Sequence, residues 1–221
     1  MPPVSIFHSL VNVMIPINCA ACGKRPASHP LPICVDCEDI LLKECPPPAK
    51  ITRHLNKIWS CRAYEGPLKE CLKNFKYKGN RQFLNVFRAL LRNFLNKHPD
   101  LHNDIDGIIP VPMHPAKRRI RGYNQSELVA EILAFEISSP ILYRSLVKTR
   151  NTAPQIELAK NERLKNPEGS FTVIDRLRVA GKTLLLVDDI VTTGGTLEAC
   201  AKELLKAGAK SITGLTLAET E

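Results

Sequence analysis

Two carboxylates followed at once by hydroxyls and glycines occupy residues 187–196, which read VDDIVTTGGT. The apolar residues 183–186 precede them and a helix-like pattern follows, so they lie where a buried strand passes into a helix. At such a turn, free backbone N–H groups and the helix dipole favour a bound phosphate. Asp188 and Asp189 would repel a phosphate at short range, so a neighbouring pair of sugar hydroxyls suits them better. The stretch predicts a ligand that carries both a diol and a phosphate.

The loop after the acidic pair has the composition of a phosphate-binding loop. Glycines let the backbone approach an anion closely, and threonines add hydroxyl donors. The candidate ligand residues are Thr192, Thr193, Gly194, Gly195 and Thr196. The order GxxxxGK[ST] is absent, so this is not a Walker loop. The alternative interpretation is an ordinary strand–turn–helix connection with two solvated acids.

A second loop lies in the segment DGIIPVPMHP and delivers Pro112, Met113 and His114 to the same predicted edge of the sheet. Four cations follow within five residues: Lys117, Arg118, Arg119 and Arg121. These cations fit a pyrophosphate held through Mg²⁺ and basic side chains. A solvated basic face is the alternative interpretation.

A long polar segment runs from Arg150 through Gln155 and continues to Phe171. Predicted structured elements bracket it, which is typical of a lid rather than of a core element. Arg150 and Gln155 are the candidate catalytic residues, because an arginine fork neutralises negative charge that develops during a reaction. A connector without function is the alternative.

Two CxxC pairs near the N-terminus supply the four thiolates that tetrahedral zinc takes. Their members are Cys19, Cys22, Cys34 and Cys37, and eleven residues rich in turn formers separate the pairs. That segment is too short for a sizeable core, so zinc would supply most of its folding free energy, on the order of 10 kcal/mol. Unrelated buried cysteines are the alternative. Cys71 and Cys200 lie on apolar helical stripes and are predicted to be core residues.

The chain has 221 residues and a formal net charge of +9. This basic balance suits polyphosphate ligands or nucleic acid, although many basic proteins bind neither. No run approaches the ~18 consecutive apolar residues of a membrane span. No Lys or Arg precedes Lys24, so a secretory signal is not predicted. We therefore expect a cytoplasmic protein, whose cysteines bind metal or remain thiols.

The pattern along the chain predicts two parts. Three prolines, Pro46 to Pro48, favour an extended linker, so we predict a zinc-binding segment over residues 1–50 and an α/β domain over residues 51–221. Predicted strands cover residues 58–64, 105–111, 183–187 and 211–217, and predicted helices cover residues 66–76, 83–97, 125–137 and 197–207. A further amphipathic helix is predicted around residues 6–14. Strands that alternate with helices imply a parallel sheet covered by helices on both faces.

The run LLLVDDIVTTGGT resembles the phosphoribosyl pyrophosphate signature of type I phosphoribosyltransferases. In that family the acidic pair holds the ribose hydroxyls and the following loop holds the 5′-phosphate. The resemblance further implies that Val111, Pro112, Met113 and His114 belong to the pyrophosphate-binding loop. It also implies that the segment from Arg150 is the flexible loop that closes over the pyrophosphate. The expected ligand is phosphoribosyl pyrophosphate with Mg²⁺.

Five segments, taken in order, resemble the ComF/ComFC competence family, whose gluconate-linked relatives are called GntX. They are CxxC…CxxC, AYEGPLKECLKNFKYKG, PVPMHPAKRRIRGYNQSELVAE, RNTAPQIELAKNERLKNPEGSF and VDDIVTTGGT. The resemblance implies a type I phosphoribosyltransferase-like parallel sheet flanked by helices, with a small N-terminal zinc-finger domain. Competence members are linked to uptake of single-stranded DNA during natural transformation.

Two functions stay open at this point. In the first, the protein binds phosphoribosyl pyrophosphate and acts in natural competence, with single-stranded DNA and a competence helicase or other DNA-processing proteins as implied partners. The candidate DNA contacts are the cations Lys73, Lys76, Lys78, Arg81 and those of residues 117–121, with Phe75 and Tyr77 among them. Helical spacing favours core packing for Phe75.

In the second function, the protein is an active phosphoribosyltransferase that transfers ribose 5-phosphate to an unknown acceptor, without a role in DNA uptake. No residue is an evident general base for that acceptor.

Overall fold

The structure is a computed structural model that describes residues 18–28, 30–43, 46–150 and 169–220. The chain forms two compact units. The first comprises Met1–Glu44 and Glu65–Val86, and the second comprises Cys45–Tyr64 and Phe87–Glu221. Residues 65–86 thus group with the cysteine-rich segment, and the division of the chain at residue 50 stays a prediction. The helix predicted around residues 6–14 lies outside the described residues.

Among the described residues, six strands form two sheets, both within the second unit. They are β1 (Ile58–Ala63), β2 (Gly107–Pro110), β3 (Leu146–Lys148), β4 (Phe171–Val173), β5 (Thr183–Val191) and β6 (Ser211–Glu219). The main sheet has the order β1-β6-β5-β2, and every pairing in it is parallel. Strands β3 and β4 form a separate antiparallel pair.

Helices accompany the strands along the chain. They are α1 (Val35–Lys43), α2 (Gly66–Lys78), α3 (Phe83–Lys97), α4 (Pro115–Arg121), α5 (Gln125–Ile137) and α6 (Gly195–Lys206), with a short 3-10 helix at Pro99–Leu101. Helix α1 packs against α2, α5 against β2 and β5, and α6 against β4, β5 and β6. The predicted α/β fold, a parallel sheet flanked by helices, is confirmed. In the part of the chain that the structure describes, no helix has the length and apolar character needed to cross a membrane.

Strand β5 lies inside the main sheet and carries the acidic pair. Its residues 184–187 are fully buried, as expected for the continuous apolar run of a parallel strand. The register places Val187 beside Pro110 of β2 and Leu215 of β6. Because parallel neighbours end at the same edge of a sheet, the loops after β2 and β5 lie side by side.

Several predicted boundaries are corrected by the structure. Strand β5 continues to Val191 rather than ending at residue 187, because its pairing with β6 extends through Asp188, Ile190 and Val191. Strand β2 is shorter than the predicted strand over residues 105–111, and α6 begins at Gly195 rather than at residue 197. The β3–β4 pair is absent from the sequence prediction, since strands of three residues show too little alternation.

Two cysteines predicted to be core residues are confirmed as such. Cys71 in α2 and Cys200 in α6 are both fully buried. Burial raises the pKa of the Cys71 thiol to about 12 and lifts the pKa of Cys200 well above its ordinary value. Both thiols therefore stay protonated at neutral pH. Phe75 is also fully buried in α2, whereas the Tyr77 side chain is 70% exposed.

Candidate functional site

The acidic pair lies near the carboxyl end of β5, inside the strand rather than after it. One oxygen of Asp188, Oδ1, accepts a hydrogen bond from the Ser126 hydroxyl at 2.8 Å and one from the Asp189 backbone N–H at 2.9 Å. The Asp189 side chain is buried, and its Oδ1 accepts from the Ile190 backbone N–H at 2.8 Å. Each carboxylate is thus oriented by neighbouring donors, and both offer acceptors only. Sugar hydroxyls can satisfy such acceptors without the repulsion that a phosphate would meet.

The five residues predicted to bind a phosphate are contiguous around the start of α6. Gly194 is the N-cap of this helix, and its φ of 82° lies in the left-handed region that favours glycine. Thr196 lies in the first helical turn, where backbone N–H groups lack partners within the helix. A small cavity at this point is lined by Asp188, Thr192, Gly194 and Thr196 among others. Asp188 and three residues of the loop therefore line the same cavity.

Thr193 is the residue of this loop whose environment is most unusual. Its hydroxyl oxygen is buried and has no hydrogen-bond partner among the described residues. Burying a hydroxyl in this way costs roughly 1–3 kcal/mol. A ligand group that accepts or donates a hydrogen bond here would remove that cost. A phosphate oxygen is such a group, and the neighbouring Thr192, Gly194 and Thr196 line the small cavity. The 5′-phosphate stays a prediction for this loop.

The loop after β2 begins at the same edge of the sheet. The Val111 backbone N–H donates to the Val187 carbonyl at 2.8 Å, and the Val111 side chain is buried. His114 is the N-cap of α4, because its Nδ1 accepts from the Ala116 backbone N–H at 3.2 Å. Val111 and His114 therefore shape the loop, while Pro112 and Met113 line an adjoining cavity.

This cavity has a volume of about 690 Å³ and extends between the loop after β2, α5 and β3. Its apolar wall includes Met113 and Leu146, and its polar wall includes Arg118, Glu127 and Lys148. Arg118 and Glu127 form an ion pair at 2.6 Å. The size and the mixed lining are typical of a pocket for a small polar ligand.

Lys148 is a cation of this cavity that the sequence analysis does not single out. Its Nζ lies 5.3 Å from the centroid of the Phe171 ring. Burial lowers the pKa of Lys148, and the charge of Lys117 lowers it further, while Cys200 and Asp188 act in the opposite direction. The charges that act on the pKa of Lys148 therefore include Asp188 of the acidic pair and Lys117 of α4.

Only one of the two candidate catalytic residues can be placed. Arg150 is exposed and follows β3 by two residues, and Gln155 lies outside the described residues. Lys148 pairs with Phe171 and so joins β3 to β4, and of these two strands β3 lines the cavity. The roles predicted for Arg150 and Gln155 stay predictions.

The four cations predicted beside the loop all lie on α4, none of whose residues is buried. Arg118 pairs with Glu127, and the Arg121 guanidinium donates to Gln125 Oε1 at 2.9 Å. Arg119 is exposed, and the Ile120 side chain is 89% exposed. Helix α4 therefore presents a positive surface to solvent.

The four cysteines of the CxxC pairs converge in the first unit. Their sulfur atoms all lie within 4.8 Å of one another. Cys19 Sγ lies 3.7 Å from Cys37 Sγ, and Cys22 Sγ lies 3.8 Å from Cys34 Sγ. A zinc ion with Zn–S bonds of ~2.3 Å requires sulfurs ~3.8 Å apart, the edge of a tetrahedron. The arrangement is consistent with a structural zinc finger.

The backbone around this cluster also favours thiolates. Burial works to raise the pKa of the Cys19 thiol, but backbone N–H groups of Cys22, Cys34 and Ala21 outweigh it and lower that pKa to about 6. Burial raises the pKa of Cys37 well above its ordinary value. A divalent cation would supply the positive charge that ionises all four sulfurs together.

Three residues that the sequence analysis passes over reach the site from the start of α5. Asn124 and Ser126 form hydrogen bonds to Val111 and Asp188, and Gln125 accepts from Arg121. The letters NQS before an apolar helical run indicate a helix start. These letters do not indicate which residues the three side chains bind, because those contacts depend on the folded structure.

Comparisons with known proteins show which sequences this chain resembles. A model of the phosphoribosyl transferase domain family matches residues 126–220. The chain is 30% identical over 208 residues to Competence protein ComFC of Bacillus subtilis, covering 90% of this chain and 76% of that protein. It is 29% identical over 196 residues to DNA utilization protein YhgH of Salmonella typhimurium, with 88% and 80% covered. It is 27% identical over 213 residues to Competence protein F of Haemophilus influenzae, with 93% and 92% covered.

Strands β5 and β6 and helix α6 all lie within the residues that the family model matches. Together with the parallel sheet, this match shows that the α/β unit carries a phosphoribosyl transferase domain. More narrowly, the similarity extends over most of the chain and includes the four-cysteine segment. The chain belongs to the ComFC/YhgH competence family.

The cysteine cluster predicts how zinc content responds to substitution. Cys34→Ala is expected to lower bound zinc from about one ion per chain to none, because three sulfurs leave the tetrahedron open. It should also lower the melting temperature, since metal binding contributes to folding. Elemental analysis of the purified protein measures the first effect and calorimetry the second. Cys71→Ala, which removes a buried cysteine of the same unit outside the cluster, should retain zinc. Equal zinc in the Cys34→Ala variant and the wild type would contradict the assignment.

Proposed function

We propose that the α/β unit binds phosphoribosyl pyrophosphate at the carboxyl edge of its main sheet. Asp188 and Asp189 would accept hydrogen bonds from the two ribose hydroxyls. The loop of residues 192–196 would hold the 5′-phosphate on the N-terminus of α6. The membership of the chain in its family and the matched domain support this assignment.

The observation that carries the proposal is the buried Thr193 hydroxyl, which has no partner among the described residues. It lies in the loop between the acidic pair and α6, where the left-handed Gly194 turns the backbone into the helix. A polar group without a partner is unfavourable in the free protein and favourable once a phosphate binds. A phosphate bound in this loop would supply the partner that the described residues do not supply.

The pyrophosphate would lie on the side of β2. Pro112 and Met113 adjoin the cavity of about 690 Å³, which Arg118 and Lys148 also line. These cations and a Mg²⁺ ion that accompanies the ligand would balance the pyrophosphate charge. Arg150 would approach from the end of β3. The acids lie on β5 and the cations on α4 and β3, so a ligand with a neutral diol between two charged ends would contact both groups.

The double variant Asp188→Asn with Asp189→Asn tests the ribose site. Its affinity for phosphoribosyl pyrophosphate in the presence of Mg²⁺ should fall by at least about 100-fold, because two charged acceptors are lost. Calorimetric titration of the ligand, with and without Mg²⁺, measures this. The variant Asp100→Asn with Asp104→Asn removes two exposed carboxylates of the same unit and should bind as the wild type does. Equal binding by the two double variants, or no binding by the wild type, would overturn the proposal.

We further propose that the protein handles single-stranded DNA in natural competence, in line with the competence and DNA-utilization names of its relatives. Helix α4 supports this, because its cations lie on a helix without buried residues. Such a surface contacts phosphates without reading sequence. Exposed Ile120 offers an apolar contact between the arginines.

Charge reversal on α4 tests the DNA proposal. Arg119→Glu should weaken binding of a fluorescent oligothymidine by on the order of tenfold at low salt, and wild-type binding should weaken steeply as salt rises. Fluorescence polarisation measures both effects. Arg178→Glu, at another exposed arginine of the same unit, is the matched control and should change affinity little. Affinity that is insensitive to salt, or an equal loss in both variants, would refute a role for α4.

A further inference from the structure

The start of α5 buries three consecutive polar residues. The side chains of Asn124, Gln125 and Ser126 are 3%, 2% and 4% exposed. Buried polar groups destabilise a fold unless they form hydrogen bonds, so each one needs a structural or functional reason. Two of these three residues form hydrogen bonds to the two loops of the proposed site.

Asn124 connects the helix to the loop after β2. Its Oδ1 accepts from the Ser126 backbone N–H at 3.3 Å, which caps α5. Its Nδ2 donates to the Val111 carbonyl at 3.0 Å. One side chain thus fixes the start of the helix and the first residue of the loop.

Ser126 connects the same helix to the acidic pair. Its Oγ donates to Asp188 Oδ1 at 2.8 Å, and this oxygen also accepts from the Asp189 backbone N–H. Two donors on one oxygen restrict rotation of the carboxylate about its side-chain torsions. Hydrogen bonds from a diol to a carboxylate form only within a limited range of orientations. A carboxylate that is already oriented therefore loses less conformational entropy when the diol binds.

We propose that Asn124 and Ser126 are positioning residues that set the geometry of the ligand site from the start of α5. Ser126 orients Asp188 toward the ribose, and Asn124 holds the backbone of the loop that faces the pyrophosphate. This inference rests on the proposed function of the same site. In this inference each residue positions one part of the site, Ser126 the part that binds the ribose and Asn124 the part that binds the pyrophosphate.

The separate roles of Ser126 and Asn124 can be tested by measuring the affinities of variants for two ligands, phosphoribosyl pyrophosphate and inorganic pyrophosphate, each with Mg²⁺. Ser126→Ala should weaken phosphoribosyl pyrophosphate by about tenfold, the equivalent of one hydrogen bond to a charged group. It should leave inorganic pyrophosphate unchanged, because that ligand has no ribose. Ser126→Thr keeps the hydroxyl and should restore affinity to within about threefold of the wild type.

Asn124→Ser is the complementary variant. Serine retains a cap for α5 but lacks the Nδ2 donor to Val111, so binding of both ligands should weaken. Ser139→Ala removes another buried serine hydroxyl, which donates to the Ile105 carbonyl at 3.1 Å, and should change neither affinity. Melting temperatures of all variants show whether a loss of binding reflects unfolding.

The outcomes separate the two proposals. If the wild type binds phosphoribosyl pyrophosphate and Ser126→Ala binds it equally well, the positioning role of Ser126 is wrong and the proposed function stands. If Ser126→Ala weakens both ligands alike, or Ser126→Thr fails to restore affinity, Ser126 acts on general structure and the inference is overturned. If the wild type binds neither ligand, the proposed function fails and the inference fails with it.

Discussion

The parallel pairing of β2 with β5 is the constraint on which the candidate site depends. Pro110 lies beside Val187 in the register, and the Val111 N–H donates to the Val187 carbonyl. Both strands therefore leave the sheet at one edge. The acidic pair lies near the end of β5 and α6 follows it, while the cations of α4 follow β2. Without this pairing the two loops would be unrelated surface segments. With it, the two loops lie at the same edge of the sheet, where the proposed ligand would contact both of them.

The distribution of polar groups at this edge also points to ligand binding rather than to stability. Asp189, Asn124 and Ser126 are buried and hydrogen-bonded, which limits their motion. The Thr193 hydroxyl is buried without a partner among the described residues, and Lys148 is partly buried beside Phe171. A chain selected for stability alone would favour apolar side chains at such positions. A site that is oriented before its ligand arrives loses less entropy on binding.

The sequence predicted the features that depend on short local patterns. The apolar run before Asp188 marks a buried parallel strand, and glycines before an apolar helix mark its cap, so β5, α6 and the loop between them follow from residue types. The spacing of the CxxC pairs likewise predicted a four-sulfur cluster, which the distances between sulfurs support. The helical stripe through Cys200 predicted its burial correctly.

Features that depend on contacts between distant residues could not be predicted in this way. Ser126 and Asp188 are separated by 62 positions, and only the packing of α5 against β5 brings them together. Lys148 has no motif around it, because the β3–β4 pair that places it is too short to show alternation. For His114 the sequence indicates a position in the loop after β2 but not the contact of its side chain, whose Nδ1 accepts a hydrogen bond at the start of α4.

A crystal structure of the protein with Mg²⁺ and phosphoribosyl pyrophosphate tests the central claim most directly, because it locates both ends of the ligand at once. The account predicts a 5′-phosphate oxygen within about 3 Å of Thr193 Oγ1 and ribose hydroxyls on the carboxylates of Asp188 and Asp189. The pyrophosphate should lie toward Met113 and Lys148. A ligand bound with its ribose away from the acidic pair, or with the Thr193 hydroxyl still lacking a partner, would contradict the account.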